Sequence, residues 1–289
     1  MPELPEVETV RSDLERFVTG KKVIKITIKQ DFVKKIQPSA AEFVSSLENE
    51  RLAGIYRRGK MLVFDFGPNK KVLAHLKMTG QFVFVSPRNE LTAGGHPIDQ
   101  EAGKPMKFNK VHFDFGSAGD LFFNDMRKFG YFKLVGDEEA EREMIRFGLE
   151  PHTRSFTIKK FEGILERRPR WEIKKFLLAQ DLIAGVGNIY ADECLFAAGI
   201  RGDRPVASLA GDEIEKLFAA LKRIMAKAIK YRGTSVSDYV DGRGNKGGYA
   251  RFLNVYKQAG KICHRCGRGQ IQKTKLAGRG TSYCPVCQK

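Results

Sequence analysis

The sequence predicts an α+β protein of two domains, and three observations carry that reading. Apolar residues recur at helical spacing near the N-terminus, short alternating runs then dominate to about residue 135, and helical periodicity returns beyond 136. Two Cys-x-x-Cys pairs close the chain. At 289 residues the length suits about two domains, each burying its own core.

The elements follow in order. Val7, Val10, Leu14, Phe17 and Val18 share one helical face, and Gly20 supplies the stop. Ile24, Ile26 and Ile28 alternate with Lys25, Thr27 and Lys29 as a half-exposed strand, and 40–47 predicts a short helix. Strands are expected at 61–66, 72–78, 82–85, 111–115, 121–123 and 131–135, with turns at Pro68-Asn69 and 117–120. Short strands with regular turns predict an antiparallel β-sandwich along which the first helix is laid. Residues 86–107, rich in Gly, Pro and charge, read as a surface excursion.

The change of pattern puts the domain boundary at 136–156, after a first domain of 1–135. Ile158, Phe161, Ile164 and Leu165 predict one helix, 173–180 another, and 212–231 a long structural helix with a basic outer face. Between the last two, Gly185 and Gly187 free the backbone, and Asn188 reads as the N-cap of the helix it opens. A helix N-terminus with free N–H groups is an anion site. Cys194, among Leu195 and Phe196, is expected to be a buried apolar residue. Residues 232–251 form a Gly-rich polar loop.

Fifty-one Lys and Arg against 34 Asp and Glu give a net charge of +17, so the expected partner is a polyanion, nucleic acid above all. No run of eighteen apolar residues occurs and the N-terminus is acidic, so neither a membrane span nor a secretory signal is expected. Four of the five cysteines form Cys263-x-x-Cys266 and Cys284-x-x-Cys287, separated by seventeen residues. That spacing specifies a closed tetrahedral site for one structural Zn2+ in a reducing cytoplasm, rather than disulfides. Gly54–Lys60 imitates a phosphate-binding loop, but Met61 stands where Ser or Thr would hold magnesium and a strand follows, so the nucleotide reading fails.

The first eight residues, Met1-Pro2-Glu3-Leu4-Pro5-Glu6-Val7-Glu8, carry the chemistry. Removal of the initiator leaves Pro2 with a free secondary amine, and an α-amino group titrates near ~8, against about 10.4 for lysine. Such an amine attacks an electrophilic carbon to form an iminium. Glu3 and Glu6 set two carboxylates beside it for proton transfer. Structurally, Pro5 also suits the opening of a helix and the acids its positive end.

This octapeptide closely resembles the start of the bacterial formamidopyrimidine-DNA glycosylases, which excise oxidised purines from DNA. Related endonuclease VIII enzymes typically carry Gly where this chain has Leu4. The resemblance extends along the chain. Lys60 matches the lysine of the family's Arg-Gly-Lys segment, which approaches backbone phosphates. The segments 75–80 and 125–130 match those whose side chains fill the gap left by an extruded base, which implies Met78, Arg127 and Phe129 as wedge and probe. Gly148-Leu149-Glu150-Pro151 resembles the family's linker, 180–193 its helix-two-turns-helix with Asn188 facing phosphate, and Arg279 its zinc-finger arginine. Departures fall at Lys107-Phe108-Asn109-Lys110, at Ala179 and at Tyr256-Lys257-Gln258.

The resemblance implies a catalytic N-terminal β-sandwich (1–135), a linker (136–156), a helical helix-two-turns-helix domain (157–252) and a C-terminal β-hairpin zinc finger (253–289). It implies a bifunctional glycosylase and lyase, a cytoplasmic monomer acting on damaged double-stranded DNA held in a cleft between the two domains. Pro2 is then the nucleophile, Glu3 the general acid and base, Glu6 a positioning group, and 232–251 the segment that closes over the base. Two other readings use the same residues: an endonuclease VIII-like enzyme for oxidised pyrimidines, and a non-catalytic nucleic-acid-binding zinc protein.

Overall fold

The computed structural model describes residues 1–88, 108–235 and 247–289, and the backbone of 91–95. Two compact units account for the chain, Met1–Ile145 with Tyr231–Gly248, and Arg146–Lys230 with Tyr249–Lys289.

The first unit opens with α1 (Leu4–Val18), which starts at the Leu-Pro pair and buries Leu4, Val7, Val10, Leu14 and Val18. Its strands are β1 (Lys25–Ile28), β2 (Ile36–Gln37), β3 (Gly54–Arg58), β4 (Met61–Asp65), β5 (Lys71–His75), β6 (Gly80–Val85), β7 (Leu91–Gly95), β8 (Asn109–Asp114), β9 (Asp120–Asp125) and β10 (Tyr131–Val135). Helix α2 (Ala40–Leu47) is capped by Ser39, whose Oγ accepts the Glu42 N–H at 3.1 Å.

Two five-stranded sheets form, in the orders β1-β8-β9-β6-β7 and β2-β10-β5-β4-β3. All pairs are antiparallel except the short β2–β10 pair, a departure from the all-antiparallel expectation. Phe82 and Phe123 of one sheet meet Phe132 of the other at ring-centroid distances of 6.0 and 4.9 Å, both edge to face, the preferred geometry for aromatic quadrupoles. Helix α1 lies on β3 and β6, so it contacts both sheets and joins their core. That seat fixes the first turn of α1 relative to the β3–β4 hairpin.

Three stretches before residue 146 differ from their sequence reading, besides the strand expected at 72–78, which ends at His75. The imitation phosphate loop is β3 running into a tight turn, with Gly59 at φ +59°. Within the expected surface excursion, 91–95 forms a strand on β6, while 89–90 and 96–107 lie outside the described residues. Residues 137–145, placed in the linker by the sequence, form helix α3 (Asp137–Ile145) and group with the first unit.

The second unit contains α4 (Ile158–Leu165), α5 (Ile173–Leu178), α6 (Asn188–Ala198) and α7 (Gly211–Lys230), then the hairpin β11 (Gln272–Leu276) and β12 (Arg279–Tyr283). Asn188 is the first helical residue of α6 rather than its cap; Gly187 takes the cap position, in extended backbone with no side-chain bond. Residues 231–235, expected with the helices, group with the first unit, and 236–246 of the expected closing loop lie outside the described residues. No helix among the described residues is long and apolar enough to cross a membrane.

Candidate functional site

In the first unit the N-terminus is held by one carboxylate. Glu6, on the first turn of α1 and 2 % exposed, accepts the Glu3 N–H on Oε2 at 2.8 Å, the return arm of a capping box. Its Oε1 accepts the Thr234 N–H at 2.7 Å. The same carboxylate therefore sets the backbone next to Pro2 and the root of the segment that follows 235. Gly233 makes this approach possible: its φ is +79°, and a Cβ there would stand 2.7 Å from Glu6 Oε1. A second clasp joins Arg232 to Asp13 of α1 at 2.6 Å. Pro2 and Glu3 are buried, whereas Met1 ahead of them is half exposed.

Lys60 is buried at the β3–β4 turn, and that turn is tied to α1. Arg57 donates from Nε to Glu8 Oε2 and from Nη1 to the Gly59 carbonyl, each at 2.8 Å. The charges of Lys60 and Lys77 also reach His75 at the end of β5. Burial first, and those two cations after it, push the imidazole down to about 3. Neutral His75 then accepts the Lys77 N–H on Nδ1 at 2.9 Å, which supports Lys77 at φ +50°.

Met78 and Phe129, which without the family would read as core, are 41 % and 45 % exposed. They sit on neighbouring turns, β5–β6 and β9–β10, with Arg127 between them: Nη1 lies 3.0 Å from Met78 Sδ, and the guanidinium stands 4.6 Å from the Phe129 ring centroid. Met126 is exposed on the same turn, a residue the sequence did not single out. Asp125 builds the arrangement. Fully buried, it accepts the Gly130 N–H at 2.7 Å and the Arg127 N–H at 3.2 Å, and it takes the Thr79 hydroxyl from the other turn. A polar pair at two turn starts, Thr79 and Asp125, was the available signal. Lys110, one of the departures, is buried and pairs with Asp31 at 2.8 Å; Asp31 also holds Lys128 at 2.7 Å. Those two lysines pull the Asp31 carboxyl down to about 2.

In the second unit Asn188 and Arg279 come together through β12. Asn188 Nδ2 donates to the Gly280 carbonyl at 2.9 Å. Beneath them lies Lys174, with no exposed surface, whose Nζ donates to Asp192 Oδ1 at 2.6 Å, Thr281 Oγ1 at 2.7 Å and Gly280 O at 3.1 Å. Asp192 Oδ2 accepts the Ser282 N–H at 2.9 Å. This buried pair seats the hairpin on α5 and α6, and no local pattern in the chain signals it. Gln180 folds the intervening turns: its Oε1 accepts the Gly185 N–H and its Nε2 donates to the Leu178 and Val186 carbonyls. Cys194 is buried, as expected.

The four cysteine sulfurs lie within 4.8 Å of one another, with Cys263–Cys287 and Cys266–Cys284 each at 3.8 Å. Zn–S bonds of about 2.3 Å in a tetrahedron put the sulfurs about 3.8 Å apart. The Gly269 and Cys287 N–H groups point at Cys266 and Cys284 sulfur at 3.4 Å, as expected around thiolates. The donor set fits one structural Zn2+.

A buried acidic N-terminus on a β-sandwich, a helix-turns-helix unit and a four-cysteine hairpin define an α+β protein with a structural zinc site. Family models agree along the chain: the formamidopyrimidine-DNA glycosylase N-terminal domain matches residues 1–132, the H2TH domain of the same enzymes 147–240, and the zinc finger found in FPG and IleRS 260–289. The chain belongs to the formamidopyrimidine-DNA glycosylase family. It is 39 % identical over 291 residues to the formamidopyrimidine-DNA glycosylase of Carboxydothermus hydrogenoformans, covering 100 % of both chains. Identity to that of Listeria monocytogenes is 39 % over 293 residues, again covering 100 % of both. The structure resembles the Lactococcus lactis Fpg solved with abasic-site DNA (TM-score 0.87, 34 % identity, 99 % of each chain). It resembles equally MutM solved with DNA containing carbocyclic 8-oxo-G (TM-score 0.87, 34 % identity, 100 % of each).

Proposed function

We propose that the protein is a base-excision repair glycosylase that removes oxidised purines from double-stranded DNA and then cuts the strand as a lyase, acting as a cytoplasmic monomer on nucleoid DNA. The observation that carries the reading is the Glu6 carboxylate, which binds the N–H beside Pro2 at one oxygen and the Thr234 N–H at the other. A nucleophile at a chain terminus needs such fixing, because termini fray and effective concentration depends on orientation.

In this reading the freed Pro2 nitrogen attacks C1′ of the extruded nucleotide, and the glycosidic bond breaks with its electrons on the leaving base, which takes up the proton that the nitrogen loses. Glu3 protonates the opening sugar oxygen, and the C1′–nitrogen bond becomes an iminium. Glu3 then removes a C2′ proton, which expels the 3′ phosphate; elimination of the 5′ phosphate follows. Met78 and Phe129 fill the gap in the stack and Arg127 bonds the widowed base. Lys60, Asn188 and Arg279 hold backbone phosphates. The division proposed is catalysis in 1–135, a linker at 136–156, helix-two-turns-helix binding in 157–252 and a zinc finger in 253–289.

Borohydride reduction in the presence of a duplex carrying 8-oxoguanine opposite cytosine tests this directly. A covalent adduct that maps to Pro2 is expected, and Glu3→Gln should bind the lesion but lose excision. Absence of an adduct from protein whose initiator is confirmed removed refutes the purine reading.

A further inference from the structure

Trp171 is the sole tryptophan of the chain, and no motif accounts for it. Its backbone is pinned: the N–H donates to Arg168 O at 3.1 Å and the carbonyl accepts the Val206 N–H at 2.9 Å. The ring carries two cations, Lys175 Nζ at 4.4 Å and the Arg168 guanidinium at 5.2 Å from its centroid. Cations over an indole face are held by its quadrupole while their outer donors stay available. Trp171 and Lys175 line a surface recess of about 710 Å³ whose wall also includes Arg170 and Arg279. Among the described residues none of Arg170, Lys175 and Arg279 makes an ion pair, and all three are exposed. Ala179 also lines the wall, and Glu172 is the one acid among the lining residues.

Three unpaired cations around one recess, one of them braced on a rigid ring, make a site for a tetrahedral oxyanion. We propose that this recess is a backbone-phosphate subsite for DNA, in which Arg170 and Lys175 join Arg279 on one phosphodiester. This rests on the glycosylase reading. The subsite reads no sequence: it adds affinity through counterion release and fixes register along the strand.

The experiment measures binding of the zinc-loaded protein to a duplex with an uncleavable abasic-site analogue and to its undamaged counterpart, at 50 and 200 mM salt. Lys175→Gln and Arg170→Gln each remove one exposed charge. For each phosphate left unneutralised, the fall in affinity over that salt range should shrink by about 3.5-fold, from a slope of roughly 0.9 per phosphate. Both duplexes should weaken by the same factor. Glu172→Gln should tighten binding, a sign that a merely structural role does not give. Trp171 emission in the parent should change as duplex is added. Unchanged salt slopes in both charge variants, or weaker binding by Glu172→Gln, overturn the subsite. A parent that binds duplex and gives the borohydride adduct separates that failure from failure of the glycosylase reading; a parent that does neither removes both.

Discussion

Asp192→Asn is expected to destabilise the second unit strongly. The carboxylate has donors on both oxygens, Lys174 Nζ at 2.6 Å and the Ser282 N–H at 2.9 Å. An amide has one acceptor end and one donor end, so whichever way it turns, its NH2 faces a donor. Breaking a buried pair by removing one partner costs about 3–5 kcal/mol. Lys174 keeps Thr281 Oγ1 and Gly280 O as neutral acceptors, so the low end, about 3 kcal/mol, is the better figure. For a unit of this size that lowers the melting temperature by roughly 10 °C. Trp171 fluorescence reports the transition, since the sole tryptophan lies in the same unit. The pair is itself costly. Burial, working against the attraction of Lys174, raises Asp192 from an ordinary 3.8 to about 6. The proton-linked part of the Asp192 contribution is therefore fully present below pH ~4 and lost as pH rises through about 6, so the charged pair that Asp192→Asn breaks is tested at pH 7 or above. The double change Lys174→Met with Asp192→Leu should accordingly be less damaging than Asp192→Asn alone. A loss below about 1 kcal/mol in Asp192→Asn, or a double variant that is worse than the single, refutes the reasoning.

Three further outcomes follow from the first unit. Met78→Ala and Phe129→Ala remove exposed side chains, so melting should move by no more than about 0.5 kcal/mol while single-turnover excision falls tenfold or more, roughly the loss of part of a few kcal/mol of unstacking support; excision at the parent rate would deny them a wedge role. Gly233→Ala places a methyl against Glu6 and adds about 1–2 kcal/mol of left-handed backbone cost, so excision should drop with lesion binding largely kept; a fully active variant would show that the Glu6 clasp is dispensable. His75, held down at about 3, should show no NMR titration between pH 5 and 8. Its contribution to stability is present above pH ~6.5 and declines by about 1.4 kcal/mol per pH unit below that, which comparison of parent and His75→Gln melting at pH 7 and 5 would reveal.

What the sequence showed and what it hid divide by range. Metal spacing, strand alternation and the N-terminal acids are local patterns, and they reappear in the fold, although the strand expected at 72–78 ends at His75. Cys263, Cys266, Cys284 and Cys287 could be paired with zinc on spacing alone. Asn188 was misplaced by one position because Gly187 takes the cap, and glycine there gives no side-chain signal. Strand β3 was missed because Arg57-Arg58 breaks the alternation; Arg57 is nonetheless nearly buried, its charge met by Glu8 on α1. Lys110 looked like a lost family residue, but its ammonium reaches Asp31, 79 residues away, and through it Lys128 in the wedge turn.

The hidden part has a common chemistry. In a chain of +17, the acids that matter most to the proposed site are buried and spend their lone pairs on backbone N–H groups. Glu6 binds Glu3 and Thr234; Asp125 binds Arg127 and Gly130; Asp192 binds Ser282. Glu193, with no exposure, accepts the N–H groups of Asn254, Val255 and Tyr256. Glu6, Asp125 and Asp192 each fix a stretch that carries or adjoins a proposed functional residue, and a carboxylate suits this because it takes several donors at once. Basic side chains such as Arg170, Lys175 and Arg279 are left exposed and without an ion pair among the described residues. Charge separation of this kind lets a basic surface coexist with rigid loops. It also explains why the loops' anchors, up to 228 residues from their partners, could not be read from sequence spacing.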